Sequence, residues 1–448
     1  MDITEICKGC FSKKDEGSFT CKYCEYENGI VDEDETGWKT GMLLSKRYLL
    51  GRLFMKKQDY AMWRAYDKFL GVNCAIVVPE KGPKSGLTFL AWGSELRKAE
   101  SSIKVMALKG VEGRWALVLS LRDSAITRKD FIKEIHISKE NPNTINPFNQ
   151  SSNVPSCALP KDTMIGKNYK ILGVLGAEKV SISYLCKDIL LERMVKIKEY
   201  FPEEWASREA DGSVTVKSSR QTYAFNCGRE GFMKECRMTA QFLHSPFFPT
   251  IFDYFTTNNT DYMVSEFIEG TNIENEFAKR DHVPYSVDEV ITIMEPVLEG
   301  LQLLHNNRIV HCNITPGNIM RATNGQIMLT SLGASKYQDT ETSVMSATFL
   351  KPDYAAPEQY KNDGENEEGP WTDVYQVGMV MYYLLIGHKP TDVLTRMERD
   401  SAELVNAKKY KVKLKKGWMN LLVESTELDY HFRIQSAEEL LAKMKKRA

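Results

Sequence analysis

The sequence predicts an α+β protein whose β-rich segments come before a helical second half. Three observations carry this. Short apolar-rich runs broken by polar residues and glycines recur at Arg47–Leu53, Cys74–Val78, Asn168–Gly176, Ile182–Cys186 and Val195–Pro202, the pattern of strands separated by turns. Two capping boxes, Ser286 with Glu289 and Ser436 with Glu439, open apolar-periodic runs further on, so helices are expected there. Ahead of both, Cys7 with Cys10 and Cys21 with Cys24 form two Cys-x-x-Cys knuckles.

The knuckles come first in the chain. Thiolates from Cys7, Cys10, Cys21 and Cys24 can close a tetrahedral zinc site with no position left for water, so a structural zinc ribbon is expected over residues 1–30. So short a segment buries too little apolar area to fold alone, and metal binding would supply most of its folding free energy. Two disulfides or a redox motif compete with zinc, but they suit a secreted protein or a thioredoxin-like fold better than this acidic N-terminus. The other cysteines stand singly and read as small core residues or inert thiols.

The second half carries an ordered series of landmarks. Asn168–Gly176 enters a turn and Ile182–Cys186 returns from it. Val195-Lys196-Ile197-Lys198-Glu199-Tyr200-Phe201-Pro202 forms a third strand, Phe232–Cys236 falls in a helical run, and Asp261–Glu266 is strand-like. Then come His311-Cys312-Asn313-Ile314-Thr315-Pro316-Gly317-Asn318, Ser331-Leu332-Gly333, Ala356-Pro357-Glu358, Asp373 in an apolar helix, and Arg433. In this order and spacing the landmarks resemble those of bacterial serine/threonine protein kinases. The resemblance implies a bilobal protein kinase-like fold over 161–448, with a β-rich N-lobe and an α-helical C-lobe. Glu266–Gly270 would be the interlobe hinge, and Glu358 would pair with Arg433.

The same resemblance implies lost chemistry. Active kinases carry Asp at the positions of Asn313 and Ser331, one as the base for the substrate hydroxyl and one as a Mg²⁺ ligand. An amide and a hydroxyl supply neither a base near neutral pH nor an anionic ligand. No catalytic residue is therefore expected at Asn313 or Ser331. Lys198, Glu235 and Asn318 match the phosphate-contacting lysine, its helix glutamate and the second metal ligand, a vestigial nucleotide site. Lys198 and Glu235 read equally as a structural ion pair that orients the helix, and Asn318 as a hydrogen-bonding member of its loop. The glycine-rich loop keeps only Gly176 in Gly176-Ala177-Glu178-Lys179-Val180-Ser181, and Glu178 would bring a carboxylate towards phosphate. Strand alternation points Lys196 to the same face as Lys198, where active relatives place Ala beside the adenine ring. Mg²⁺ is not expected, and these changes weigh against ATP. Cys312 replaces the Arg that captures an activation-loop phosphate. Thr340, Thr342, Ser343, Ser346 and Thr348 remain as hydroxyls open to modification.

Residues 40–138 invite comparison with the N-lobe that follows. Setting Tyr48 on Tyr169, an offset of 121 (169 minus 48), aligns residues 47–77 with 168–198 without a gap. Only Tyr48, Asp67, Leu70 and Ile76 then meet identical residues, but the strand patterns coincide and Val77 falls on Lys198. A helix over Ser94–Ile103 and strands over 103–108 and 115–121 would complete a second, stripped N-lobe without a C-lobe. An unrelated small α+β domain is the alternative. Residues 139–160, rich in Asn, Pro and Ser, read as the linker.

Bulk properties narrow the function classes. At 448 residues, 42% hydrophobic and 27% charged with a formal net charge of −1, the chain has ample core and no electrostatic footprint for nucleic acid. Met1-Asp2-Ile3-Thr4-Glu5 is not a signal peptide, and the apolar run near 374–387 is too short to span a bilayer. A cytoplasmic protein that binds other proteins, and neither nucleic acid nor membrane, is expected. The preferred reading is a bacterial pseudokinase acting in signalling as a scaffold or allosteric regulator. A divergent ATP-dependent serine/threonine kinase and a metal-independent ATP sensor are the alternatives.

Overall fold

The computed structural model describes residues 31–34, 36–56, 60–79, 105–111, 114–120, 155–334, 336–337, 351–360, 368–399 and 414–447, with Ile6, Cys7, Phe11, Lys13, Cys21 and Tyr26 ahead of them. The chain divides into two compact units. One comprises Met1–Arg229, Cys236–His244 and Thr250–Phe267, and the other Glu230–Glu235, Ser245–Pro249 and Ile268–Ala448.

The first unit holds two antiparallel sheets. Strands β1 (Leu43–Leu44), β2 (Tyr48–Lys56), β3 (Tyr60–Asp67), β4 (Val72–Pro79), β5 (Val105–Val111) and β6 (Arg114–Ser120) lie in the order β1-β2-β3-β4-β6-β5. The second sheet is built from β7 (Met164–Ile165), β8 (Tyr169–Glu178), β9 (Ser181–Asp188) and β10 (Arg193–Tyr200). After a separate ladder of β11 (Ala206–Arg208) with β12 (Val214–Val216), it continues with β13 (Ile251–Thr257) and β14 (Thr260–Glu266). Its order is β7-β8-β9-β10-β14-β13, the same path strand for strand.

The agreement extends to register. Tyr48 faces Asp67 as Tyr169 faces Asp188, and Val77 faces Met62 as Lys198 faces Ser183. Across β5 and β6 the offset becomes 146 (251 minus 105), and both sheets carry a bulge at the same place, between Val105 and Ala107 and between Ile251 and Asp253. Each aspartate also closes the turn that follows it, Asp67 accepting from the backbone N–H of Phe69 and Leu70 and Asp188 from those of Leu190 and Leu191. The strands expected over 103–108 and 115–121 are present as β5 and β6. The helix expected over Ser94–Ile103 and residues 139–154 of the expected linker lie outside the described residues.

The far faces are buried differently. In the second sheet Glu199 accepts hydrogen bonds from Tyr184 (2.7 Å), Tyr262 (2.6 Å) and Arg208 of β11 (2.6 Å), which satisfies a fully buried carboxylate. In the first, the Trp63 indole donates to Asp34 at 2.7 Å. Ile6 and Phe11 pack on Leu49 and Tyr66 of this sheet.

The second unit is helical. It takes part of α1 (Thr222–Ala240), then α2 (Ile273–Lys279), α3 (Val287–Asn306), α4 (Pro370–Ile386), α5 (Val393–Arg399), α6 (Lys416–Ser425) and α7 (Ala437–Lys446). Short strands β15 (Gly270–Asn272), β17 (Ile319–Ala322) and β18 (Ile327–Leu329) form one ladder, and β16 (Ile309–Val310) pairs with β19 (Lys336–Tyr337). The capping box of α3 is formed, with the Glu289 N–H donating to Ser286 Oγ and the Ser286 N–H to Glu289. Helix α4 is buried from Thr372 to Ile386. At Gly378 a Cβ would stand 2.5 Å from Ser425 Oγ, so only glycine lets α6 approach this closely. Among the described residues no helix is long and apolar enough to cross a membrane.

Candidate functional site

In the second sheet, alternation along β10 puts Lys196 and Lys198 on one face. Lys198 is buried and Lys196 half-buried. The last residue of β8, Glu178, turns back so that its carboxylate lies 3.6 Å from Lys198 Nζ, and the Ser181 hydroxyl donates to it at 3.2 Å. The Lys198 ammonium holds the Glu178 carboxyl below its ordinary range, assisted by Lys196 and the Ser181 hydroxyl and opposed by burial. The sequence sets Glu178 towards phosphate, and no signal in it marks the ion pair with the strand lysine.

The loop at 311–318 is held from below by α4. Asp373 accepts from the backbone N–H of His311 (2.9 Å) and Cys312 (2.8 Å) and from His305 Nε2 (2.8 Å). Gln376 accepts from the Ile314 N–H and, with Gln359, donates to the Cys312 carbonyl. Cys312 has φ +61°, a sparsely populated conformation for a residue with a Cβ, kept in place by these bonds on both its N–H and its carbonyl. His311 is fully buried. Burial pushes its imidazole below the ordinary histidine value, against the pull of Asp373. The neutral ring donates from Nε2 to the Thr330 carbonyl and accepts the Asn313 N–H at Nδ1, which fixes its tautomer.

Around this frame the remaining expected residues fall as follows. Asn313 is buried, at 8% exposure, and its carbonyl accepts from the Asn318 side-chain amide at 2.9 Å. The Asn318 carbonyl in turn accepts from both the N–H and the hydroxyl of Thr330. Ser331 follows at φ +66°, and Leu332 is buried. Glu235 of α1 is buried against this turn, since a Cβ on Gly333 would lie 3.0 Å from its Oε2. Glu358 and Arg433 form the expected buried ion pair at 2.7 Å, with Thr372 donating to the same carboxylate. Asn313, Asn318, Ser331 and Glu235 are thus gathered in the helical unit, and Lys198 is placed in the sheet unit. Thr340, Thr342, Ser343, Ser346 and Thr348 lie outside the described residues.

At the front of the chain, Cys7 and Cys21 are buried in one small cluster with Tyr26. The Phe11 N–H donates to the Cys7 carbonyl at 2.8 Å, and the Cys21 N–H to the Tyr26 carbonyl at 3.0 Å. One cysteine from each knuckle is therefore brought together. Cys10 and Cys24 lie outside the described residues.

Several contributors carried no signal in the sequence. Gln359 and Gln376 hold the loop through polar atoms that no periodicity marks. Arg47 and Arg193 are buried between the two sheets, and of the two only Arg193, five residues after Asp188, stands near its aspartate in the sequence.

The comparisons with known proteins agree with this architecture. Residues 204–446 match the protein kinase domain family. The chain is similar to the serine/threonine-protein kinase PrkC of Bacillus subtilis, 26% identical over 294 residues, covering 63% of this chain and 41% of that protein. A probable serine/threonine-protein kinase of Clostridium perfringens is 24% identical over 288 residues, covering 63% of this chain and 38% of that one. The match takes in less than half the length of either relative. Among solved structures, the apo form of PpkA-294 shares the fold with a TM-score of 0.56 at 24% identity, over 64% of this chain and all of that one. With the family's domain covering more than half of its residues, and the loop, ion pair and strand order in place, the chain belongs to the protein kinase family.

Proposed function

We propose that this protein is a pseudokinase, a kinase-fold chain that acts as a protein-binding scaffold or allosteric regulator. One observation carries the reading. The loop around Asn313 is fully braced by Asp373, Gln376 and Gln359, yet Asn313 and Ser331 are neutral where a phosphotransferase needs carboxylates. Scaffold has been kept where chemistry has not. Mg²⁺ has no anionic ligand at either position, so the residues present do not fit it.

Lys198 adds a second argument. Its ammonium is already opposed by Glu178, so a phosphate approaching it meets a carboxylate at 3.6 Å. The buried lysine with Lys196 beside it also favours a second reading, a metal-independent ATP sensor in which nucleotide displaces Glu178. Cys7 and Cys21, already adjacent, fit a structural zinc completed by Cys10 and Cys24, which would close the ribbon without chemistry of its own. The partners proposed are other proteins, in the cytoplasm.

Thermal-shift titration with ATP, with and without Mg²⁺ or Mn²⁺, tests the proposal. No shift in either condition is expected. A metal-independent shift supports the sensor. A metal-dependent shift together with phosphate transfer to a protein substrate, abolished in Lys198→Ala, overturns the pseudokinase reading.

A further inference from the structure

The contacts between the two sheets of the first unit run in both directions. Arg47, just ahead of β2, pairs with Asp67 at 2.7 Å and reaches to β13 of the other sheet, donating to Asp253 (2.7 Å) and the Tyr254 carbonyl (3.0 Å). Arg193, at the start of β10, pairs with Asp188 at 3.4 Å and reaches to β5 of the first sheet, donating to the carbonyls of Val105 and Met106, each at 2.6 Å. Asp67 and Asp188 are equivalent residues, and β5 and β13 are equivalent strands, entered at equivalent bulges. The two arginines stand at non-equivalent positions, since 47 plus 121 is 168, an Asn, but in each sheet an arginine paired with the shared aspartate donates to the bulged strand of the other.

Such two-way contact between matching aspartates and bulged strands approaches an isologous pair, in which patch i meets patch j and j meets i. Here the two members are copies within one chain. Apolar contact reinforces it: Leu191, with Leu190 beside it, joins the cluster of Met55, Val77, Val105 and Leu119. The Arg193 guanidinium also lies 3.6 Å above the Phe252 ring at the second bulge.

We infer that the first sheet is a captive partner of the second, occupying the face by which two copies of this lobe would pair and bracing the elements that carry the vestigial nucleotide site. Arg193 opens the strand that bears Lys196 and Lys198. Arg237 of α1, two residues beyond Glu235, donates to the carbonyls of Phe69 (2.8 Å) and Lys68 (3.4 Å) in the turn of the first sheet. The first sheet therefore holds both β10 and α1, and a shift at this interface moves them together.

A protease site placed within residues 139–154 of the full chain, followed by light scattering on a sizing column, tests the inference. The uncut protein is expected at the mass of one chain, and the two fragments are expected to elute together after cutting. Arg47→Glu with Arg193→Glu should release them, each buried arginine being replaced by a charge that repels its aspartate. Should that variant fail to fold, Arg193→Lys serves instead. Lysine keeps the charge but loses the planar fork whose two nitrogens meet the Val105 and Met106 carbonyls, and about a tenfold weaker fragment association is expected. Fragments that separate in the unsubstituted protein, or an uncut dimer that exchanges fragments between chains, would overturn the inference.

Discussion

The two sheets of the first unit share every strand pairing yet present opposite chemistry on one face. At four cross-strand equivalent positions the first sheet carries Met55, Met62, Val77 and Leu117, and the second carries Gly176, Ser183, Lys198 and Met263. The first set lies in one buried apolar cluster. The second leaves room and charge, with Glu178 folded back into it. Backbone register is fixed by alternation and by the aspartate turns, so it tolerates exchange of a whole strip of side chains. Ligand chemistry resides in that strip, and in the first sheet the strip has become core.

Val77→Lys is the hardest test of this contrast, because it restores the lysine of the second sheet at a fully buried position whose cluster neighbours are apolar. A buried ammonium there is expected to cost on the order of 4 kcal/mol and to unfold the first sheet selectively. Urea unfolding with limited proteolysis of residues 40–138 would measure it. A loss below about 1 kcal/mol would mean that this face is open to solvent and to ligands, and the contrast would fail.

The equivalent aspartates give a finer comparison. Asp67 accepts from Arg47 Nε at 2.9 Å and Nη2 at 2.7 Å as well as from two backbone N–H groups. Asp188 keeps its two turn bonds, but Arg193 stands at 3.4 Å. Burial raises the Asp188 carboxyl above its ordinary value of 3.8, against the pull of Arg193. A raised folded-state value means that the native protein binds the proton more tightly. The associated stability is present in full below pH 3.8 and is lost as pH rises through the folded value. Asp67→Asn should therefore cost about 3 kcal/mol at pH 7, and Asp188→Asn about 1. Relative to Asp188→Asn, the parent should gain stability on acidification towards pH 4. Equal losses in the two variants would show that the arginines contribute alike.

Much of this was legible in the sequence because periodicity and turn chemistry are local. Local patterning located β2, β4, β5 and β6 and β8 to β10, though not β3, the capping boxes located α3 and α7, and ordered landmarks located Lys198, Asn313, Asn318, Glu358 and Arg433. Sequence identity alone barely supported the duplication, since four shared residues among some thirty carry little weight. The structure adds equal register and equal bulges, which depend on pairings between distant strands. The tertiary uses of single polar residues were not legible. The sequence marks Glu178 as an obstacle to phosphate, but only the folded β8–β9 turn brings its carboxylate to Lys198. Gln376, Gln359 and the two bridging arginines are likewise defined by what approaches them from elsewhere in the chain.

The smallest expected effect separates a closed strip from an empty one. Glu178 is 48% exposed at its side chain, so solvent screens its attraction to Lys198, and Glu178→Gln should cost less than about 1 kcal/mol at neutral pH. Its folded value is depressed below 4.5, so the contribution is present above pH 4.5 and disappears as pH falls through the folded value. The Tm difference between Glu178→Gln and the parent should accordingly shrink in acid and in high salt. If Glu178 acts as the built-in occupant of the lysine strip, Glu178→Gln should also bind ATP or inorganic triphosphate more tightly than the parent, because a repelling charge is gone. Unchanged anion binding in this variant, with the stability difference as described, would leave the carboxylate a purely structural cap. The polar strip of the second sheet would then be as closed to ligands as the apolar strip of the first.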